Sequence, residues 1–77
     1  LHKKGLNEIL KKIGEEASET IIAAKSDDNN EIIHEIADLW FHCLVLLSQK
    51  NLSVNDVIVE LKGREGTSGI EEKSNRK

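Results

Sequence analysis

The sequence predicts an all-α fold, an antiparallel helical bundle completed by homo-oligomerisation. Three features of its 77 residues point there. There is no proline, so nothing forces a helix to break. Apolar residues recur at three- and four-residue steps along two long stretches. The second stretch becomes apolar on nearly every side, which so short a chain is hard put to cover alone. A domain of this size buries only about 60% of its unfolded surface. With a single cysteine, Cys43, there is no internal disulfide to compensate, and association with further copies is the remaining remedy.

The first helix is expected from about Leu6 to Lys25. Leu6, Ile9, Leu10, Ile13, Ala17, Thr20, Ile21 and Ala24 line one face. Gly14 lies inside it and costs roughly 1 kcal/mol relative to Ala. Ser26, Asp27, Asp28, Asn29 and Asn30 are all turn or cap formers, and Asn29 or Asn30 is placed to cap the second helix. That helix runs from Glu31 to about Gln49. Its later half, Leu39, Trp40, Phe41, Cys43, Leu44, Val45, Leu46 and Leu47, is the apolar stretch, with Cys43 read as core and Trp40 as a packing residue. Lys50 and Asn51 end it. Ser53 then caps a third helix, with Asp56 as the capping-box acid and Leu52 and Val57 as a hydrophobic staple. Gly63 is the expected terminator. Residues 1–63 thus form the domain, and 64–77 a loop and disordered polar tail.

Composition narrows the function. Lys and Arg total 11 against 14 Asp and Glu, a formal charge of −3, which argues against nucleic acid. No apolar run approaches the roughly 20 residues of a bilayer span, and no signal pattern opens the chain. A cytoplasmic protein is expected, off the membrane. The absence of Met suggests a chain trimmed at its N-terminus.

The carboxylates carry the chemistry. Glu16 and Glu19 share a face of the first helix, and Glu35 and Asp38 a face of the second. At about 100° per residue, Glu16 falls at the edge of the apolar stripe. Glu35, Asp38 and His42 form a narrow polar strip beside Leu39, Val45 and Leu46. A short turn makes the helices adjacent, so the pairs can face each other. Acids converging beside apolar neighbours need protons or a cation, and hard oxygen donors without thiolate select Mg²⁺ or Mn²⁺. The plainer alternative is that these acids are solvated surface. Glu31 with His34 has the Glu-x-x-His spacing of di-iron bundles, but a second such helix is lacking. His42 reads as a boundary residue. Lys11, Lys12 and Lys25 are cations a phosphate could meet.

Lys11-Lys12-Ile13-Gly14-Glu15-Glu16-Ala17-Ser18-Glu19, Ala23-Ala24-Lys25 and Glu35-Ile36-Ala37-Asp38-Leu39 resemble the phosphoribosyl-ATP pyrophosphatases. These are the histidine-biosynthesis branch of the all-α nucleotide pyrophosphatase (MazG-like) superfamily. Lys4-Gly5-Leu6 and Gly66-Thr67-Ser68-Gly69 also resemble that branch. The resemblance implies a hydrolase that converts phosphoribosyl-ATP to phosphoribosyl-AMP and pyrophosphate. It implies metal ligands Glu16, Glu19, Glu35 and Asp38, with Glu15 orienting or activating water. Lys12 or Lys25 would hold a substrate phosphate, and the assembly would be a homodimer or larger. The family's additional N-terminal helix, ending in Ser-Tyr-Thr, has no counterpart, since the chain lacks Tyr. Two other readings remain open: a house-cleaning nucleoside triphosphate pyrophosphatase and a non-enzymatic helical dimerisation module.

Overall fold

The computed structural model describes residues 3–76, with side chains for 5–65. Three helices follow in order, α1 (Lys3–Ser26), α2 (Asn29–Gln49) and α3 (Val54–Arg76), with no strand among the described residues.

α1 and α2 form an antiparallel hairpin. The reversal is tighter than the expected five-residue turn. Asp27 takes the left-handed conformation with φ 65°, and Asp28 caps α2. The Glu31 backbone N–H donates to Asp28 Oδ1 at 3.2 Å. Asp28 therefore takes the role assigned to Asn29 or Asn30, which become the opening turn of α2. Asp and Asn cap comparably well, so only the backbone reversal decides between neighbours. Leu6, Ile9, Ile13, Ala17 and Thr20 of α1 are half-buried in the hairpin with Ile32, Ile36 and Leu39 of α2, and Ala23 is buried.

At the next reversal Asn51 is left-handed, φ 60°. The capping box forms as expected: Asp56 N–H donates to Ser53 Oγ at 3.3 Å, and Ser53 N–H to Asp56 Oδ2 at 2.9 Å. Gly63 does not stop the helix, and α3 continues to Arg76 where a loop and tail were expected. No glycine among the described residues has positive φ, so no left-handed cap forms there. The flanking Glu60, Leu61, Lys62, Arg64 and Glu65 are good helix formers. Arg64 Nε donates to Glu60 Oε2 at 3.1 Å, stapling the turn across the glycine. The side chains of 66–69 lie outside the described residues.

The result is a single layer of helices, 45 × 33 × 17 Å. Its radius of gyration is 15.5 Å, against about 11.5 Å for a compact chain of this length. Its accessible surface is 6387 Å², against roughly 4,700 Å² for a compact monomer of this mass. Cys43, expected in the core, is exposed. Trp40 is 68% exposed and Phe41 59%. Among the described residues no element packs over the outer side of the apolar half of α2, because a single layer of helices supplies none.

Candidate metal centre

Half-way along the hairpin the two helices present acids to one another. α1 carries Glu16 at the seam, between half-buried Ile13 and Ala17, and α2 carries Glu35 and Asp38 opposite. One carboxylate oxygen from each of Glu16, Glu35 and Asp38 falls in a set whose members all lie within 4.8 Å of one another. Glu35 is 8% exposed, the buried charged residue of the described chain.

Packing acids this closely raises proton affinity. Burial first, then side-chain hydrogen bonds with Glu31 and Glu16, then the charges of Glu16 and Glu19, push the Glu35 carboxyl from 4.5 up to about 7. A hydrogen bond between two carboxyl groups needs a proton on one of them, which the raised Glu35 carboxyl can supply below about pH 7. The Oε1 atom of Glu16 is buried without a hydrogen-bond partner. Among the described residues no Lys or Arg pairs with Glu16, Glu19, Glu35 or Asp38. An orphaned buried oxygen, an all-oxygen donor set and no resident counter-ion fit a hard divalent cation.

The remaining candidates are placed differently. Glu19 is exposed, outside the close set, yet near enough for its charge to act on Glu35. Glu15 faces Lys12, its Oε1 3.6 Å from Nζ, with both side chains half-exposed. That pair sits on the outer side of α1, Lys12 one turn from Glu16. Lys25 is exposed in the last turn of α1, roughly 13 Å along the axis from Glu16 at 1.5 Å per residue. His42 is half-buried and packs edge-to-face on Phe41, ring centroids 5.2 Å apart, the boundary position expected of it.

Two neighbours, which the sequence offered only as a Glu-x-x-His pair of di-iron type, adjoin this site instead. Glu31 hydrogen-bonds to Glu35, and His34 Nε2 lies 3.4 Å from Asp38 Oδ2. Both are one turn N-terminal to a candidate ligand, and that i,i+4 spacing was the available signal.

A family model described as phosphoribosyl-ATP pyrophosphohydrolase matches residues 1–65. The chain belongs to this family. A relative from Methylococcus capsulatus named phosphoribosyl-ATP pyrophosphatase is 60% identical over 77 residues, covering 100% of this chain and 73% of its own length. Relatives of the same name from Hydrogenovibrio crunogenus and an Azoarcus species are 54% and 56% identical. They align with 99% and 100% of this chain and with 71% and 72% of their own lengths. The match takes in the whole acidic cluster.

Proposed function

We propose that the chain hydrolyses the α–β phosphoanhydride of phosphoribosyl-ATP, releasing pyrophosphate and phosphoribosyl-AMP for histidine biosynthesis, with Mg²⁺ as cofactor and Mn²⁺ as a substitute. The observation that carries this is the meeting of Glu16, Glu35 and Asp38 within 4.8 Å in a chain of the pyrophosphohydrolase family. The acidity of the cluster makes a cation necessary for an anionic substrate. A triphosphate brought beside these carboxylates without one would be repelled.

Glu16, Glu35 and Asp38 would hold the ion, with Glu19 completing the ligand set from the rim. When bound, the ion offsets phosphate charge and orients the attacking water. Glu35, its carboxyl raised to about 7, would have to be ionised to serve as a ligand. Glu15 is the group for water activation, and reaching the water requires release of Lys12. Lys12, so freed, holds a phosphate oxygen as a point charge. Lys25 reaches substrate only on the distal side of the site.

We further infer that the working unit is a cytoplasmic homodimer. The apolar groove of about 530 Å³ between α2 and α3, lined by residues such as Trp40, Leu44, Leu47, Val57 and Leu61, would be closed by a second copy. The surface in excess of a compact monomer is of the size one partner contributes to a large interface, although part of it belongs to the α3 extension.

The test is pyrophosphate release from phosphoribosyl-ATP with and without Mg²⁺, run beside dUTP, dCTP and ITP. Asp38→Ala should abolish release while the circular dichroism stays helical. Undiminished release by Asp38→Ala removes the metal site, and preference for the other triphosphates removes the substrate.

A further inference from the structure

This inference rests on the metal-site reading above and adds a residue to it. In a helix each Cα–Cβ bond tilts toward the N-terminus, so Asp38 leans back over the turn that carries His34. His34 Nε2 accordingly stands 3.4 Å from Asp38 Oδ2. The neighbours of Glu35 in the cluster, Glu31 and Glu16, are acids like itself. Asp38 differs, because its neighbour on α2 is a nitrogen able to donate.

A carboxylate has two oxygens with distinct tasks at a metal. One ligates, and the other is held from outside, which sets the plane of the group. Groups that orient ligating residues in this way are commonly worth 10- to 100-fold in affinity or activity, an order-of-magnitude range. Asp38 has the shortest side chain of the cluster, and its carboxylate turns about a single bond next to Cβ. Fixing that rotation matters more for it than for the longer glutamates, which can approach an ion by several rotamers.

We infer that His34 is a positioning residue for Asp38, with its imidazole Nε2–H donating to Oδ2 so that the other oxygen faces the ion. At 3.4 Å the two groups stand at ion-pair range without a formed hydrogen bond, so the donation would tighten only as Asp38 turns to the ion; with 67% of the His34 side chain exposed, the effect lies at the low end of that range. The role needs a donor at that atom and no charge on the ring.

The experiment is Mn²⁺ titration calorimetry on the full chain and on His34→Ala, His34→Gln and Asp38→Ala. It runs with the Mg²⁺ dependence of pyrophosphate release. His34→Ala should bind Mn²⁺ about tenfold more weakly. Its catalytic loss should fall mainly on the Mg²⁺ concentration for half-maximal rate. His34→Gln, which keeps an N–H donor, should recover to within about threefold of the parent. Mn²⁺ binding by His34→Ala equal to the parent, where Asp38→Ala has lost it, overturns the inference and leaves the metal site standing. Equal weakening in the Ala and Gln variants overturns it also, because the donor then makes no difference. Undiminished binding by Asp38→Ala overturns both.

Discussion

The two faces of α2 make opposite demands on their surroundings. Toward α1 the helix presents Glu35 and Asp38 with Ile32, Ile36 and Leu39, and α1 answers with an acid and apolar residues of its own. Toward α3 it presents Trp40, Cys43, Leu44 and Leu47 to a groove lined wholly by apolar residues, which stays open. The first face is self-sufficient in shape but lacks charge balance. The second has nothing to balance but lacks cover. Under the proposed function a metal ion would answer the first and self-association the second, so the two should fail separately when mutated.

The largest effect belongs to the charged face. Glu16→Gln keeps the shape of the side chain and removes a ligand charge. It should lower pyrophosphate release by about a thousandfold, since ligand loss forfeits several kcal/mol of metal-derived stabilisation. Sedimentation should show the assembly unchanged. A Glu16→Gln variant that dissociates would show the two faces to be one cooperative unit.

Next comes the apolar face. Leu44 is 47% exposed in the open groove. Leu44→Asp should weaken self-association by roughly a hundredfold, the result of forcing an unpaired charge under a cover. Analytical ultracentrifugation over a concentration series reads this directly. Unaltered association would move the interface off the α2–α3 groove.

The same contrast separates what was legible beforehand from what was not. Ser53 and Asp56 stand three residues apart, so their reciprocal bonds could be foreseen from local sequence. Glu16, Glu35 and Asp38 were legible because helix periodicity and a short turn determine the face each occupies. Cys43 was not, because apolar composition says that a residue seeks cover and not which element provides it. Gly63 misled for a related reason. Glycine ends a helix only where the chain exploits its left-handed freedom, and here good helix formers and the Glu60–Arg64 pair carry α3 onward. Glu15 pairs with Lys12 on the outer side of α1, an i,i+3 contact that helical spacing makes available.

A smaller effect depends on pH. The Glu35 carboxyl stands at about 7 in the fold against an ordinary 4.5, so the native chain holds a proton that the unfolded chain releases between those values. Its contribution to metal-free stability is present in full below pH 4.5 and is lost as pH rises through about 7. A divalent metal would bind the ionised group, so its affinity should climb across the same interval. Thermal melts with and without Mg²⁺ should therefore diverge as pH increases. Glu35→Gln should lose both the slope and the Mg²⁺ response, and a parental slope in that variant would assign the titration to another group.

The smallest effect lies on the outer surface of α1, and it reports on both faces. Gly14 is helical, exposed and has nothing within 4 Å of where a Cβ would stand. In the chain taken alone, Gly14→Ala therefore meets no clash and removes the backbone entropy that glycine loses on folding. The expected gain is about 1 kcal/mol, or a rise in Tm of roughly 4–8 °C for a domain of this size. The free space is a property of one copy, however, and a second copy seated on α1 would fill it. A lower Tm for Gly14→Ala would mean that a neighbouring backbone approaches there. The assembly would then be sealed along α1, beside the acids, and the groove on α2 would be left for something else.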